Sequence, residues 1–214
     1  MGHRGYNYLN NFSFSNLMTS QKQIWNAIAP EWFEFKKNPG RGVEDFLKSK
    51  KGKILDLGSG AGRHLLKTKG KLYLVDFSEE MIKLAKKKAK QKKISAEFAV
   101  ADLTKLSFED NFFDYSISIS AFHCLKPKDH KKAIKELYRV MKPKSKSLIG
   151  VWNFNSKRFN QKKGKEKLVG WQDKGKRYYY LFEEKEIHNL FKKIGFKILS
   201  THNSEMMINF VVTK

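Results

Sequence analysis

One stretch of the sequence restricts the fold more than any other, because an apolar run, a glycine loop and a carboxylate follow one another in order. The apolar run 53–57 is typical of a short buried strand. Residues 58–62 hold glycine at every second position, which lets the backbone turn sharply and approach a ligand closely. A helix that begins at 63–68 and a strand that ends at Asp76 are predicted to follow. An acid at that position accepts hydrogen bonds from ribose hydroxyls, so the pattern predicts a nucleotide-like ligand.

Strands and helices are predicted to alternate along most of the chain, which indicates an α/β fold with a mostly parallel sheet. The predicted strands are 53–57, 72–75, 96–100, 115–120, 147–152, 197–200 and 207–212. The predicted helices are 20–37, interrupted or restarted at Pro30, and then 42–50, 79–90, 128–141 and 183–194, with Gly195 as the stop of the last. We expect the final two strands to complete the sheet as an antiparallel pair.

Domain organisation follows from where this alternation fails. Residues 1–19 are polar and aperiodic, so they are predicted to be a flexible tail before a single domain over 20–214. Residues 155–176 carry many Lys, Asn, Gln and Gly residues and almost no apolar ones. This segment is predicted to be a solvated basic insertion into the domain.

The charge balance favours a polyanionic partner. The 214 residues include 44 Lys and Arg against 21 Asp and Glu, a formal net charge of +23, and 38 of the cations are lysines. Such a field attracts nucleic acid, although a merely solvated lysine-rich surface has the same composition. The single cysteine, Cys124, excludes an internal disulfide and a cysteine-based zinc cluster within this chain and fits a reducing, cytoplasmic setting. No apolar run approaches the roughly 20 residues of a membrane helix, so we expect no membrane partner.

The spacing of the glycine loop distinguishes between cofactors. The dinucleotide fingerprint is G-x-G-x-x-G, whereas this loop is G-x-G-x-G with Asp56 two residues before it. Asp56 would repel a phosphate but can hold a cationic amino group, directly or through water. The loop therefore resembles motif I of the class I S-adenosylmethionine-dependent methyltransferases, and Asp102 after the third predicted strand matches the acid that the family places at the adenine. In the alternative interpretation, the glycines only make a tight turn and the acids only cap strands.

This resemblance implies a Rossmann-like fold with a seven-stranded sheet, helices on both faces and S-adenosyl-L-methionine as the cofactor. Phe77 or Met81 would pack on the adenine or ribose. The residues expected to contact the cofactor are Asp56, Gly58, Ser59, Gly60, Gly62, Arg63, Asp76, Phe77, Asp102, Leu103 and Ser120.

The flanking segments are similar to a narrower family, the tRNA wobble-uridine carboxymethyl methyltransferases. In family order, they are WNAIAPEW at 25–32, SISAFHC at 118–124, RYYYLF at 177–182 and NFVV at 209–212. The resemblance implies methylation of the carboxylate of 5-carboxymethyluridine in tRNA to a methyl ester. It also implies a small zinc-ribbon activator protein as partner, with no metal expected on this chain.

Several residues depart from the pattern of that family on the expected substrate side. Phe35 and Lys36 stand where the family has Thr and Arg, and Lys36 lacks the bidentate fork of arginine. Gly40 and Arg41 replace Trp and Pro. The second histidine of its H-H pair is Cys124, and the histidine of its R-Y-Y-H segment is Tyr180.

Four residues are expected on the substrate side of the site. We assign His123, at the carboxyl end of the fourth predicted strand, to substrate positioning. Arg177 and Lys36 are predicted to hold a carboxylate or a phosphate, and Tyr178 with Tyr179 to stack on a base. A strand-end histidine, a solvated arginine and alternating strand tyrosines are the ordinary alternatives.

Three basic surfaces are candidates for RNA contact, namely residues 83–93, 126–146 and the insertion 155–176. Two other functions stay open at this point. The chain can be a small-molecule methyltransferase of the same superfamily, or an RNA-binding scaffold without catalysis.

Overall fold

The computed structural model describes residues 14–40, 42–159 and 164–214. In chain order the helices are α1 Phe14–Phe35, α2 Val43–Leu47, α3 Glu79–Lys92, α4 Pro127–Val140 and α5 Glu184–Ile194. The strands are β1 Lys53–Leu57, β2 Lys71–Asp76, β3 Ala96–Val100, β4 Phe113–Ile119, β5 Met141–Trp152, β6 Glu166–Gly170, β7 Lys176–Tyr180, β8 Lys197–Thr201 and β9 Met207–Thr213. A 3₁₀ turn, Phe122–Cys124, follows β4.

Seven strands form one sheet in the order β3-β2-β1-β4-β5-β9-β8. The first five strands run parallel to one another. Strand β9 is antiparallel to both β5 and β8, so the last two strands complete the sheet as an antiparallel pair, as predicted. Strand order reverses between β1 and β4, because β2 and β3 extend to one side of β1 and the later strands to the other. Open parallel sheets bind ligands at such a point, outside the carboxyl ends of the strands.

Helices cover both faces of the sheet because strand side chains alternate between them. Ile54 packs in a cluster with α2 and α3, whereas its neighbour Leu55 packs in a cluster with α4 and α5. A third cluster joins α1, α3 and β7 through Ile28, Met81 and Tyr179. This third cluster brings the N-terminal helix over the carboxyl edge of the sheet. The predicted Rossmann-like, mostly parallel seven-stranded fold is confirmed.

The N-terminal helix differs from its prediction at both its start and its middle. It begins at Phe14, so residues 14–19 belong to a helix, while the rest of the expected tail, residues 1–13, lies outside the described residues. It also continues through Pro30 without a break. Pro30 removes one helical hydrogen bond, but burial of Trp25 and Ile28 against α3 and β7 keeps both halves in line.

The helix predicted at 63–68 is absent, and turns occupy residues 60–64 instead. Gly58, Gly60 and Gly62 all have positive φ, between +53° and +74°, and this left-handed geometry interrupts helical hydrogen bonding. A Cβ on Gly62 would lie 2.8 Å from the Leu65 side chain and 3.1 Å from Ala85 of α3. The loop is therefore packed directly on α3, which leaves no room for a helical turn there.

The basic insertion is also corrected over much of its length. Residues 160–163 lie outside the described residues, but β6 and β7 form an antiparallel hairpin with Glu166 opposite Tyr180 and Gly170 opposite Lys176. Gln21 of α1 fastens the edge of this hairpin, because its amide donates to the Lys176 carbonyl at 3.0 Å and accepts from the Tyr178 N–H at 2.8 Å. Much of the segment thus belongs to a β-hairpin that is hydrogen-bonded to α1, and it is not a solvated loop.

Candidate cofactor and acceptor site

A cleft lies at the carboxyl ends of β1, β2 and β4, between the glycine loop and α1. Several of the predicted residues line it: Lys36, Gly58, Ser59, Gly60, Arg63, Asp76, Phe77, Asp102, Leu103, Ser120 and His123. Met81, which the sequence also indicated, lines it too. Asp56, Gly62, Arg177 and Tyr178 do not line the cleft. The sequence therefore located the cleft, and the structure separates the residues that face it from those that support it.

Hydrogen bonds donated by backbone N–H groups hold the residues at the floor of the cleft in place. The N–H groups of Gly58 and Ser59 donate to the Val75 carbonyl at 2.8 and 2.9 Å, which ties the loop to the end of β2. The Gly60 N–H donates to Asp76 Oδ2 at 2.8 Å, and the Ser78 N–H donates to Asp76 Oδ1 at 3.0 Å. The Asp76 carboxylate is buried, and burial raises its pKa to about 6 although both hydrogen bonds oppose the shift.

Asp102 lies at the other end of the floor, beyond β3. Its Oδ1 accepts hydrogen bonds from the Thr104 N–H at 2.7 Å and the Thr104 hydroxyl at 2.6 Å. Within the described part of the chain, Oδ2 accepts none. One carboxylate oxygen is thus fixed in place while the other is available to a donor such as an exocyclic amine.

Asp56 and Gly62 serve the loop rather than the cleft wall. The Asp56 carboxylate is buried, with both oxygens 3.3 Å from Nδ1 of His64, and it does not line the cleft. Gly62 packs on α3, as described above. Arg63, which follows the loop, lines the cleft, and burial lowers its pKa while the nearby Asp56 opposes the shift.

His123 is held in a single tautomer by the backbone of β5. The Trp152 N–H donates to His123 Nδ1 at 2.9 Å, so Nδ1 carries a lone pair and the ring proton lies on Nε2. The ring centroid is 4.9 Å from that of Trp152 and 5.5 Å from that of Tyr179. Burial, reinforced by the charge of Arg63, lowers the pKa of His123 to about 3. The neutral ring therefore presents a hydrogen-bond donor to the cleft.

The end of the cleft beside Lys36 and Arg63 is cationic. Lys36 and Arg63 line it, and burial together with Arg63, Arg158 and Arg177 lowers the pKa of Lys36. No hydrogen bond or ion pair joins Arg63 to another residue of the described ranges. Asp56 lies near Arg63 but forms no ion pair with it, so the charges of Arg63 and Lys36 favour an anionic ligand at this end of the cleft.

The register of β7 decides which of its residues reach the cleft. Arg177 and Tyr179 point to the α1 side, and Tyr179 lines the cleft. Tyr178 points to the other side and donates its hydroxyl proton to Glu166 at 2.8 Å, so its predicted stacking on a base is wrong for this geometry. Arg177 lies behind the wall with 5% of its surface exposed, and its guanidinium is 4.8 to 5.7 Å from the rings of four aromatic side chains.

Among the aromatic and polar residues that line the cleft, Trp25, Trp32, Trp152 and Gln21 were not predicted as site residues from the sequence. Trp32 lies over the loop, with its indole nitrogen 3.8 Å from the position of a Cβ on Gly60. Trp152 stacks on Tyr179 with centroids 4.2 Å apart, and Gln21 lines the cleft while it binds β7. Trp32 belongs to the quoted 25–32 segment, which was a usable signal, whereas Trp152 and Gln21 carried none.

Two features are absent from the described residues. No group of three His, Cys, Asp or Glu side chains there is arranged to hold a metal ion. None of the helices described has the length and apolar character that a membrane crossing requires.

Two curated proteins similar to this chain are methyltransferases that act on different substrates. Residues 54–144 match a family described as a methyltransferase domain. The tRNA (carboxymethyluridine(34)-5-O)-methyltransferase of Arabidopsis thaliana is 34% identical over 134 residues, 61% of this chain and 32% of that protein. The ubiquinone/menaquinone biosynthesis C-methyltransferase UbiE of Rickettsia felis is 42% identical over 104 residues, 44% of this chain and 41% of that protein. The chain thus spans only 32% and 41% of the length of these two relatives.

Solved structures share the fold at low identity. The 1,6-didemethyltoxoflavin-N1-methyltransferase of Burkholderia thailandensis, solved with S-adenosylhomocysteine, matches with a TM-score of 0.73 and 15% identity over 96% of this chain and 92% of that one. A chain of the complex between the Haloferax volcanii Trm112 methyltransferase activator and a putative methyltransferase matches with a TM-score of 0.68 and 17% identity, over 88% of this chain and 96% of that one.

Proposed function

We propose that this chain is an S-adenosylmethionine-dependent methyltransferase and that it methylates a carboxylate on tRNA. The match of residues 54–144 to a methyltransferase domain and the shared fold support the first part of this proposal. The acceptor proposed is 5-carboxymethyluridine at the wobble position, and the product is its methyl ester. The activity of the Arabidopsis relative and the four family-like segments support this choice. The net charge of +23 supports an RNA substrate.

The residues of the cleft floor fit S-adenosylmethionine, the cofactor of this class. Asp76 would accept hydrogen bonds from the ribose hydroxyls, and the free oxygen of Asp102 would accept one from the adenine amine. Phe77 and Met81 would pack on the adenosine, and Gly60 leaves the loop backbone open to close approach. When bound, the cofactor supplies an electrophilic methyl group on a sulfonium.

We choose a carboxylate acceptor because His123 is held in one tautomer. A carboxylate oxygen attacks the methyl carbon in line while the carbon–sulfur bond breaks, and no proton has to be removed. His123 has its proton on Nε2 and its basic nitrogen occupied, so it can donate a hydrogen bond to the acceptor but cannot take its proton. Lys36 and Arg63 supply the positive charge that holds a carboxylate in place.

Hydroxyl and carbon acceptors need a base, and among the described residues the free carboxylate oxygen of Asp102 lies at the cofactor end of the cleft rather than beside His123. A hydroxyl or carbon acceptor must lose a proton during transfer. Burial raises the pKa of both Cys124 and Tyr179, which disfavours their anionic, basic forms. Asp76 is engaged with the glycine loop at the cofactor end. The similarity to UbiE keeps a small-molecule acceptor as the second candidate, and the experiment below tests it.

The experiment is methyl transfer from labelled S-adenosylmethionine to tRNA from a strain that lacks the ester, followed by nucleoside mass analysis. A base-labile methyl ester on a uridine is the expected product. Label in another nucleoside would retain a tRNA methyltransferase and overturn the carboxylate assignment. Cofactor binding without label in RNA would favour a small-molecule acceptor, and absence of cofactor binding would favour a non-catalytic RNA-binding scaffold.

A small zinc-ribbon activator protein is proposed as a partner. The support is the resemblance of the flanking segments and the structural similarity to a chain of the Trm112 activator complex. Purified chain should bind S-adenosylhomocysteine more tightly, and methylate tRNA faster, when an activator is co-expressed with it. Equal affinity and rate with and without the activator would remove this partner from the proposal.

A further inference from the structure

We propose that Phe35, Trp171 and Lys36 form a platform that stacks an unpaired base of the RNA strand next to the methyl acceptor. This inference rests on the proposed function, because it assigns a second contact to the same RNA. It concerns a part of the cleft rim where the sequence departs from the tRNA methyltransferase family that it resembles, since Phe35 and Lys36 replace Thr and Arg there.

Phe35 is unusually exposed for a large apolar side chain. It is the last residue of α1, and 62% of its surface is accessible, the highest value among the exposed large hydrophobic residues of the described chain. Its ring is not isolated, because its centroid lies 5.9 Å from that of Trp32 and 5.5 Å from that of Trp171. Three aromatic rings therefore meet at the rim, and the outermost faces solvent.

The position of this cluster relative to the cleft favours an extended substrate. Trp32 lines the cleft and lies over the glycine loop at Gly60. Phe35 is one helical turn further along α1, and neither it nor Trp171 lines the cleft. A ligand that reaches from the glycine loop to Phe35 has to pass Trp32 and continue out of the mouth. A nucleotide chain is long enough to extend in this way, whereas a small-molecule acceptor would lie entirely within the cleft.

The platform is held rigidly before any ligand arrives. Trp171 donates its indole N–H to Glu31 of α1 at 3.1 Å, and Lys174 forms an ion pair with the same carboxylate. The backbone N–H of Trp171 donates to the Gly175 carbonyl at 3.0 Å, and this hydrogen bond closes the turn between β6 and β7. Rings that are already ordered lose little conformational freedom on binding, which is what a stacking surface requires.

Charge at the rim selects nucleic acid over an apolar protein partner. The Lys36 ammonium lies 4.8 Å from the Phe35 centroid and 5.6 Å from that of Trp32. The charge of Arg158 also acts on Lys36, and its guanidinium lies 5.3 Å from the Trp152 centroid. Aromatic rings interleaved with cations are the arrangement that binds single-stranded nucleic acid, with stacking for the bases and charge for the phosphates.

The test compares Phe35→Ala with Phe35→Trp in the full chain, and Leu199→Ala serves as a matched control. Leu199 is an exposed apolar residue of β8, remote from the cleft, with 49% of its surface accessible. The probe is an anticodon stem-loop RNA with 2-aminopurine beside the target uridine, and binding is followed by fluorescence. Calorimetry with S-adenosylhomocysteine checks the cofactor end of the same variants.

We expect Phe35→Ala to weaken binding of the stem-loop about tenfold and to abolish the quenching of 2-aminopurine. Phe35→Trp should restore both, Leu199→Ala should change neither, and the cofactor affinity should be the same in all four proteins. Unchanged RNA affinity and quenching in Phe35→Ala would overturn the platform. Loss of activator stimulation with intact RNA binding would assign Phe35 to a protein contact instead, which also overturns it.

The platform and the proposed function fail in different ways. If wild-type protein methylates tRNA and Phe35→Ala binds the stem-loop as wild type does, only the platform is wrong. If wild-type protein neither binds the stem-loop nor methylates tRNA, the proposed function is wrong and the platform fails with it.

Discussion

The two halves of the cleft are built by different means. In the cofactor half, made of the glycine loop and the ends of β2 and β3, Asp76 binds a backbone N–H only 16 residues away. In the acceptor half, made of α1, the β6–β7 hairpin and the end of β5, Gln21 binds Tyr178 across 157 residues and Glu31 binds Trp171 across 140. Local backbone geometry fixes the first half, and long-range side-chain contacts fix the second. The acceptor half can therefore change substrate while the cofactor half keeps its form.

The largest effect is expected from a change that affects the cofactor half alone. Asp76→Ala removes the acceptor of the Gly60 and Ser78 N–H groups together with the proposed ribose contact. Hydrogen bonds to a charged group contribute about 1.5–3 kcal/mol each, so affinity for S-adenosylhomocysteine should fall about 100-fold or more. Calorimetry measures this, and stem-loop affinity is the control that should not move. Near-normal cofactor affinity in a folded variant would contradict the assignment of Asp76.

A change at His123 should give the opposite result, with chemistry impaired and cofactor binding intact. His123→Ala removes the Nε2 donor, and loss of one preorganised donor costs about 100-fold in kcat. His123→Gln is the matched variant, because its amide can accept from the Trp152 N–H and still donate to the acceptor. Single-turnover methyl transfer should rank wild type above His123→Gln and His123→Gln above His123→Ala. Equal rates in all three proteins would exclude a donor role for this ring.

A pH titration separates the two halves without mutation. The pKa of Asp76 is raised to about 6, while that of His123 is lowered to about 3. Between pH 7 and pH 5 Asp76 gains a proton and no longer accepts from ribose, whereas His123 stays neutral throughout. Since about a tenth of Asp76 is ionised at pH 5, cofactor affinity should fall about tenfold.

Asp76→Asn is the control for this titration. Its side chain has no proton to gain, so its cofactor affinity should be low and independent of pH over the same range. A wild-type affinity that stays constant from pH 7 to pH 5 would show that ionised Asp76 does not hold the cofactor.

The contrast between the halves also explains what the sequence could predict. The glycine spacing, Asp76 and Asp102 lie in one ordered segment, and the structure confirms the strands and turn around them. The helix predicted at 63–68 was wrong because the contact of Gly62 with Ala85 of α3 is tertiary, and no local pattern reports it. Asp56 was predicted to face the cofactor, yet its partner is His64, which stands in the turn that replaced that helix.

In the acceptor half, the sequence indicated which residue types belong to the site but not which side of the strand each side chain faces. Arg177, Tyr178 and Tyr179 are adjacent, and only the pairing of β7 with β6 shows that Tyr179 faces the cleft and Tyr178 faces Glu166. The segment 155–176 has the composition of a solvated loop, and its hairpin is ordered by long-range contacts that the composition does not report. The contacts of Trp171 with Trp32 and Glu31 order it, and those partners lie about 140 residues earlier.

The smallest effect should come from loosening the bond between α1 and the hairpin. Gln21→Ala leaves the Lys176 carbonyl and the Tyr178 N–H without their partner, which should lower the free energy of unfolding by about 2 kcal/mol. Hydrogen exchange should be faster at the amides of β7 and unchanged in β1 and β4. Stem-loop affinity should fall a few-fold because the hairpin carries Trp171, while cofactor affinity stays the same. Gln91→Ala, an exposed glutamine of α3, is the matched control. If Gln21→Ala weakens cofactor binding as much as RNA binding, the two halves are mechanically coupled, and the acceptor half does not vary independently of the cofactor half.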